Sequence, residues 1–494
     1  IVSVADNLMV IESRQTGAAK TGANFGLIPS FRELFGAKLP SFLDGKHVYS
    51  LKKGHDIPLE GAAVKEVNPN TTATRFAVQP GNFLGLRPIP KMVVEVGDSV
   101  KAGDPLFYDK QLDRIKFCAP VSGEVIAINR GAKRAISEVV ILADREQVSR
   151  TYRLPTLDIN RSELVDFLLG SGLWPFIRQR PYNVVADPDV TPRDIFVSTF
   201  DSGPLGPDMS YAVEGRAEAF QLGLNVLNRL TDGMVYLGLD GRGDAAPSAV
   251  FTDAQGVEKR YFRGKHPAGN VGVQIHHIHP VSAGDKVWTL DAHGVLAIGE
   301  LFGTGRFDTS RFVALTGAPL NEAGYVRTYP GANLGELLRG RLDFTENLRL
   351  LSGNVLTGSE KTEDQFLDFF ANQVTVLEEG NQAELFGWLL PLKARPSISP
   401  TIPNLAGKME ANTNTHGEKR AFVVTNDYEE VMPMDIYTQQ LMKAILVNDF
   451  EGMEGLGIYE LVEEDVALAE FACVSKQPLQ QILRQGLEVM REQS

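Results

Sequence analysis

The sequence has few of the residues that redox and metal chemistry use. Of its 494 residues only two are cysteines, Cys118 and Cys473, and they form no C-x-x-C pair and no Cys/His cluster. We therefore do not expect a disulfide framework, a zinc site or a self-contained iron–sulfur cluster, which takes about four thiolates. This cysteine usage fits a reducing compartment.

Long apolar runs and an excess of positive charge are also missing. No apolar run approaches the roughly 18–20 residues of a membrane span, so we expect no transmembrane segment and a membrane link only through another protein. The formal net charge of −13 argues against nucleic acid or bare anionic lipid as the main partner. The catalytic signatures G-x-S-x-G and H-E-x-x-H and the Walker loop do not occur.

What is present has the size and composition of a multidomain globular protein. A chain of 494 residues is too long for one hydrophobic core, and 43% hydrophobic residues is an ordinary content. The order of strand and helix patterns predicts an α/β multidomain fold with five segments. These are an N-terminal extension at 1–48, a lipoyl-like barrel-sandwich domain at 49–150, a Rossmann-like domain at 151–265, a β-grasp (SLBB-like) domain at 266–345 and a mainly helical domain at 346–494.

The barrel-sandwich prediction depends on two hairpin signatures, residues 94–107 and 118–128. Both alternate apolar and polar residues, and Gly97 and Gly103 supply positive-φ positions for tight turns. Lipoyl and biotin carrier domains show this pattern, with a modified lysine on a turn between the two signatures. Lys110 stands near that place, but the flanking residues of a lipoyl or biotin site are absent, so we expect a structural lysine.

Two glycine-rich stretches are the candidate nucleotide loops. In GSGLWPF (170–176), Leu173 and Trp174 stand where a flavin or dinucleotide loop needs glycine for close approach to phosphate. GLDGRGD (238–244) follows a predicted strand but opens no clear helix. We interpret both stretches as structural.

The histidines of residues 266–280 are the candidate metal ligands. A strand there would place His277 and His279 on one face and His276 on the other, which disfavours a three-histidine site. Short strands are also expected after this stretch, among them VLAIGELF at 295–302.

Two segments have weaker patterns. Phe31, Leu34 and Phe35 share one helical face and predict a short helix packed on its own protein. The four prolines of residues 391–405 predict an extended connection.

Ten motifs resemble, in order, those of one family, the A subunits of Na+-translocating NADH:quinone reductases. The resemblance runs from Tyr49 to the C-terminus, and the first 48 residues match nothing in that family. The motifs are LKKGHDIPLEG (51–61), NFLGLRPIPKMVVEVGDSVKAGDPLFYDK (82–110), INRGAKRAISEVVI (128–141), GSGLWPFIRQRPY (170–182), DIFVSTFDSGPLGPD (194–208), TDGMVYLG (231–238), KHPAGNVGVQIHHIHPV (265–281), RFVALTG (311–317), LLSGNVLTG (350–358) and YELVEEDVALAEFACVSK (459–476).

The resemblance implies a peripheral subunit on the cytoplasmic face of the bacterial inner membrane. The six-subunit complex of that family passes electrons from NADH to ubiquinone and exports Na+, and its flavins and iron–sulfur centres lie in other subunits. The chain would then bind ubiquinone and dock on a membrane subunit. It would carry no flavin or iron–sulfur cluster of its own, and it would not be catalytic in isolation.

The family is also similar to the NADH- and FMN-binding subunit of respiratory complex I and to the C subunit of the Rnf complex. Those relatives have a loop like G-x-G-G-A-G-F-P-T at the flavin and cluster-binding cysteines near the C-terminus. Here the loop reads GSGLWPF, and of the cysteines only Cys473 remains. A scaffold without ligand and an NADH/FMN-binding electron-transfer subunit are the alternatives.

Quinone binding needs an apolar slot with a few hydrogen-bond donors for the ring carbonyls. Two segments suit it by composition and by family association, with an aromatic ring to stack on the quinone and an arginine or tyrosine to bond an oxygen. The alternative is that they pack the interface between the first two domains. The candidate residues are Phe83, Leu84 and Arg87 in the first segment and Trp174, Arg180 and Tyr182 in the second.

Overall fold

A computed structural model describes residues 39–68, 73–87, 89–155, 159–343, 347–380, 395–398 and 407–493. The chain divides into two compact units, residues 1–46 with 243–245, and all the rest. In the first unit the described part has one short 3-10 helix, Ser41–Leu43. The predicted helix with Phe31 and most of the predicted connection at 391–405 lie outside the described residues.

The predicted barrel-sandwich is formed by two small antiparallel sheets. The turns predicted at Gly97 and Gly103 have φ values of 99° and 93°. In both turns an aspartate closes the loop, because Asp98 Oδ2 accepts the Glu95 N–H at 2.8 Å and Asp104 Oδ2 accepts the Lys101 N–H at 2.7 Å. The strand order of the four-stranded sheet is β3 (Arg75–Val78), β9 (Ile136–Ala143), β8 (Gly123–Arg130) and β5 (Ser99–Val100). The strand order of the three-stranded sheet is β4 (Lys91–Met92), β6 (Pro105–Tyr108) and β7 (Lys116–Cys118).

A seven-stranded sheet forms the centre of the α/β part. Its first five strands are parallel, and the two at the other edge form an antiparallel hairpin. The order is β1 (Val48–Ser50), β14 (Glu258–Arg263), β13 (Val235–Asp240), β12 (Ile195–Ser198), β15 (Val287–Asp291), β10 (Arg178–Arg180) and β11 (Val184–Val185). In chain order, β13 and β14 are added on one side of β12, and β15 is then added on its other side.

Helices cover this sheet. For the first of them the sequence predicts Asn160 or Ser162 as the N-cap and Gly170 as the end. Asn160 is the N-cap, because its Oδ1 accepts the Glu163 N–H at 2.9 Å at the start of α1 (Arg161–Ser171), whereas the helix continues past Gly170 and ends at Gly172 with φ 81°. The helices are α1 (Arg161–Ser171), α2 (Met209–Ala212), α3 (Ala217–Asn228), α4 (Ala249–Thr252), α5 (Val271–Ile278) and α6 (Ala292–Thr304).

Two predicted strands of this region are wrong. His276 and His277 lie on helix α5, and VLAIGELF belongs to helix α6. Both helices are buried over most of their surface, so their sequences show no polar stripe and the 3.6-residue period is hidden. As a consequence β15 and α6 belong to the α/β sheet, and the predicted boundary at residue 265 falls too early.

A six-stranded mixed sheet follows in the chain. Its order is β19 (Ser359–Lys361), β18 (Leu348–Ser352), β20 (Gln373–Glu378), β16 (Arg311–Thr316), β17 (Gly324–Thr328) and β2 (Val64–Asn68), with helix α7 (Leu334–Leu338) nearby in sequence. Three of these strands come from the predicted helical segment 346–494 and one from the predicted barrel-sandwich segment. The predicted boundary at residue 345 therefore cuts through this sheet.

The last part of the chain is helical, as predicted. Helices α8 (Asp427–Val431), α9 (Thr438–Leu446), α10 (Phe450–Gly455), α11 (Glu463–Ala472) and α12 (Leu479–Gln493) share one apolar core. Tyr182 and Val273 of the α/β part belong to the same core, so this domain is packed firmly against the seven-stranded sheet.

A buried polar cluster connects the seven-stranded sheet to the six-stranded sheet. Asn372 donates to Asp291 Oδ2 at 3.1 Å, and its own Oδ1 accepts from Arg311 at 3.3 Å. His293, 3% exposed, lies beside them, and neither of its ring nitrogens has a hydrogen-bond partner among the described residues. Burial lowers the pKa of His293 to about 3, so the ring is neutral at physiological pH.

We expect His293 to make the fold sensitive to acid. Its pKa in the folded protein is below the ordinary value of 6.5, so below pH 6.5 the unfolded chain binds the proton first and the fold loses stability as pH falls. The loss from this group is about 1.4 kcal/mol per pH unit. Urea unfolding of wild type and His293→Gln between pH 6.5 and pH 4.5 measures the slopes. Equal slopes in the two proteins would contradict the assignment.

The closest helix contact lies between α3 and α6 and depends on glycine. A Cβ added at Gly299 would lie 1.7 Å from the Ala219 carbonyl oxygen, and one at Gly223 would lie 2.2 Å from the Val295 carbonyl oxygen. Such distances are far inside van der Waals contact, so any side chain at either position forces the helices apart.

Gly299→Ala should lower the free energy of unfolding by about 1–3 kcal/mol through this overpacking. Gly303 on the same helix is the matched control, because a Cβ there meets its nearest atom only at 3.4 Å. Gly303→Ala should be neutral or stabilising by up to about 1 kcal/mol, since alanine favours helix. Thermal unfolding of both variants compares the two, and an unchanged midpoint for Gly299→Ala would show that the helices move apart freely.

Candidate functional site

The β10–β11 hairpin positions the side chains around the candidate site. Its turn contains a cis Arg180–Pro181 bond, followed by Tyr182 and Asn183 with φ values of 81° and 57°. Left-handed backbone at a non-glycine residue costs about 1–2 kcal/mol, so surrounding contacts must hold it. One such contact is from Arg484 of helix α12, whose Nη1 donates to the Tyr182 carbonyl at 3.0 Å.

Arg180 holds the same hairpin in place through a buried ion cluster. Its side chain is 1% exposed, and it donates to Asp465 Oδ2 at 3.0 Å, to Glu464 Oε1 at 3.0 Å and to the Glu460 carbonyl at 3.1 Å. Asp465 in turn accepts the Val462 N–H at 3.0 Å and so caps the start of helix α11. One guanidinium therefore ties strand β10 to the beginning of a helix in the last domain.

A cleft of about 290 Å³ opens beside this hairpin. Pieces from the barrel-sandwich, from the hairpin and from the last helix surround it. Most of its lining is apolar, with Leu84, Leu86, Leu112, Ile115, Phe117, Val184, Val185 and Val190 as the apolar side chains. Its size lies at the lower end of ligand pockets, which are about 300–1,000 Å³.

A few polar groups also line the cleft, and each has a defined environment. Gln179 Oε1 accepts from Trp288 Nε1 at 3.3 Å and from the Asp187 N–H at 3.4 Å, so the group it can offer a ligand is its amide Nε2. Lys286 places its ammonium 5.7 Å from the centre of the Tyr182 ring. Asp109 accepts the Arg87 N–H at 3.0 Å, which holds the segment around Leu86 in place.

The structure brings two of the six predicted residues to this cleft. Leu84 and Tyr182 line it, whereas Phe83 is 2% exposed and packs against Phe117 and Phe369 at ring distances of 4.5 and 4.8 Å. Arg87 is exposed and is not among the lining residues.

The other two predicted residues have internal partners. Trp174 is fully buried, donates to the Ala186 carbonyl at 2.7 Å and stacks edge-on against Trp288 at 5.4 Å. Arg180 is held by its ion cluster. Both side chains are buried inside the protein, and neither is among the lining residues of the cleft.

Several lining residues could not be predicted from the sequence. Leu112 and Ile115 follow the turn of Lys110, and no pattern there indicates a ligand. Lys286 and Arg491 are distant in sequence, and only the packing of strand β15 and helix α12 brings them to the cleft.

The candidate metal-binding histidines each have a separate hydrogen-bond partner. His276 bonds Glu460 at 2.7 Å, His277 bonds the Pro433 carbonyl at 2.7 Å and His279 bonds Asp194 at 3.1 Å, so the three rings are used separately. Within the described ranges no three His, Cys, Asp or Glu side chains are grouped as metal ligands.

The comparison with known proteins gives one consistent result. Models of three domains match, the NqrA N-terminal barrel-sandwich hybrid domain at 49–144, the NqrA second alpha/beta domain at 159–307 and the NQRA C-terminal domain at 312–363. Relatives named as the A subunit of Na(+)-translocating NADH-quinone reductase match nearly end to end. The one from Rhodopirellula baltica is 36% identical over 459 residues, which is 90% of this chain and 98% of the relative.

The chain belongs to the NqrA family. Further members from Alcanivorax borkumensis and Serratia proteamaculans are each 38% identical, and the alignments cover 88% and 90% of this chain and 98% and 99% of those relatives. The NqrA second domain ends at residue 307, after helix α6, which agrees with the sheet and not with a boundary at 265.

Among solved structures, an air-oxidised NAD+-reducing [NiFe]-hydrogenase covers 61% of this NqrA chain and 57% of its own, with 13% identity and a TM-score of 0.33. A score this low supports no conclusion about fold or function. No helix in the described part of the chain is long and apolar enough to cross a membrane.

The Arg180 cluster yields a stability prediction. Arg180→Met leaves the fully buried Asp465 carboxylate without its cation, which should lower the free energy of unfolding by about 3–5 kcal/mol. Adding Asp465→Asn should restore part of the loss, because the buried charge is then gone. Arg114 is the matched control, since it contacts Asp166 and Asp189 at the surface.

Arg114→Met should change stability by no more than about 1 kcal/mol. Urea unfolding of all three variants against wild type measures these differences. Similar losses in the free energy of unfolding for Arg180→Met and Arg114→Met would contradict a stabilising role of the buried ion cluster.

Proposed function

We propose that this chain is the A subunit of a Na+-translocating NADH-quinone reductase complex and that its cleft binds the quinone ring. Its partners would be the other subunits of that complex, chiefly a membrane subunit, with the chain on the cytoplasmic side of the inner membrane. The relatives named above support complex membership. The cleft is the observation that supports quinone binding.

The lining of the cleft matches what a quinone offers. The ring and its substituents are apolar and suit the leucine and valine side chains, whereas the two carbonyl oxygens accept hydrogen bonds. Lys286, the Gln179 amide and the Tyr182 hydroxyl are donors carried by lining residues. A volume of about 290 Å³ suits a substituted ring, and the open side leaves an exit for an isoprenoid tail.

We propose in addition that the chain holds no flavin or iron–sulfur cluster of its own. Leu173 and Trp174, both fully buried, fill the space beside α1 where the flavin-binding relatives would have glycine. Cys473 is buried with its Sγ 2.8 Å from the Tyr428 hydroxyl, and Cys118 is buried elsewhere, which leaves no group of thiolates for a cluster.

Quinone titration of the purified full chain tests the cleft. With a short-tailed ubiquinone followed by protein fluorescence, Lys286→Met should weaken binding about tenfold or more, because a charge-assisted hydrogen bond is lost. Tyr182→Phe should weaken it less. Lys133→Met, the same change on an exposed hairpin, should leave affinity at the wild-type value. Wild-type affinity in the Lys286 and Tyr182 variants would remove the cleft as the quinone site.

A visible absorption spectrum tests the NADH/FMN-binding alternative. We expect the purified chain to show no flavin absorption band in the blue part of the spectrum and no broad absorption from an iron–sulfur cluster. A bound chromophore that survives gel filtration would overturn the proposal that this protein lacks its own redox centre.

A further inference from the structure

The last domain presents an exposed apolar patch, here called the valine patch, formed by Phe422, Val423, Val424 and Val474. Val424 is 72% exposed, and Val423 and Val474 are each 48% exposed. The backbone that carries them is held in place, because Val423 donates its N–H to Ser475 Oγ at 3.4 Å and its carbonyl accepts from Gln439 at the start of α9. The patch is therefore a fixed surface.

Four basic residues lie close to the valine patch, one by a side-chain contact and three by their place along the backbone. Lys443 lies with its ammonium 5.6 Å from the centre of the Phe422 ring, and Arg420 donates its N–H to the Ser475 carbonyl at 3.0 Å. Lys419 precedes Arg420 in sequence, and Lys476 follows Ser475. None of the four forms an ion pair with another described residue.

The segment of residues 417–424 has two cations, Lys419 and Arg420, and one acidic residue, so its formal charge is positive although Asp427, Glu429 and Glu430 follow it. Between residues 417 and 424 the only acidic residue is Glu418, and acidic residues resume at Asp427. The formal net charge of the protein is −13. At the end of α9, Leu446 and the following Val447 come three and four residues after Lys443, with exposures of 52% and 73%.

We propose that the valine patch and its four cations bind anionic lipid headgroups at the membrane surface. This proposal rests on the proposed function, because it needs the chain to lie beside a membrane. Exposed apolar side chains next to lysine and arginine suit the headgroup layer, where the cations meet phosphate and the valines meet the acyl boundary.

Charge decides between lipid and a protein partner for this surface. Cytoplasmic loops of membrane proteins carry an excess of lysine and arginine, so a basic patch is repelled by them and attracted by anionic lipid. The acidic remainder of the chain is attracted by these basic loops and repelled by anionic lipid. The net charge of −13 argues against lipid binding over most of the surface. Because only the patch would bind lipid, it would orient the protein with this surface toward the membrane.

Vesicle sedimentation of the full chain tests the proposal. Wild type should bind vesicles containing phosphatidylglycerol and not vesicles of phosphatidylcholine alone, and binding should fall as salt rises. Lys419→Glu with Arg420→Glu should weaken binding about 20-fold or more, since each cation near an anionic surface contributes about fivefold. Val424→Ser should weaken it about threefold, through lost apolar contact.

Lys133→Glu with Arg134→Glu is the matched control, because it makes the same charge change on the exposed β8–β9 hairpin. It should leave vesicle binding unchanged, with thermal midpoints equal in all variants. No preference for anionic vesicles, or an equal loss in the control, would overturn the proposal. So would wild-type vesicle binding by the Lys419/Arg420 variant combined with poor assembly into the reductase complex, which would assign the patch to a protein partner.

Quinone titration of the same variants separates the two proposals. The valine patch variants should keep wild-type quinone affinity, since none of their residues lines the cleft. Loss of quinone binding with intact vesicle binding would reject the cleft alone, and the reverse would reject the patch alone.

Discussion

The structure depends above all on one buried positive charge. A guanidinium that is 1% exposed must have carboxylates beside it, because the desolvation of an unpaired ion exceeds what a marginally stable fold can absorb. Arg180 finds them in Asp465 and Glu464, at the start of a helix far along the chain. The hairpin that carries Arg180 also carries Tyr182, so the requirement to neutralise one charge sets the position of a side chain that lines the cleft.

The same interaction explains why the cleft is made from distant parts. The hairpin supplies one wall, the barrel-sandwich another, and helix α12 closes a side with Arg491. Arg484 on that helix bonds the carbonyl of Tyr182, and its pairing with Glu463 ties α12 back to α11. The helical domain is thus part of the site's framework, although most of its residues are far from the cleft.

The sequence predicts those features that depend on local physics. Gly97 and Gly103 mark turns because no other residue adopts their backbone easily, and Asn160 marks a helix start because its side chain must bond a free N–H. Helices α5 and α6 were predicted as strands, since burial on nearly all sides removes the polar stripe that reveals a helix. The cleft could be predicted only in part, at Leu84 and Tyr182, because Lys286 and Arg491 reach it by long-range packing that leaves no mark in the local pattern.

Two short strands near the beginning of the described chain have a consequence for how the protein is made. Val48–Ser50 pairs with residues 261–263, and Val64–Asn68 pairs with residues 324–326. On the ribosome both segments emerge long before the strands that receive them, so they must wait unpaired while the intervening sheets form. Each then adds to the edge of a sheet already in place. These two segments can therefore reach their native partners only after strands about 200 residues or more further along the chain have been synthesised.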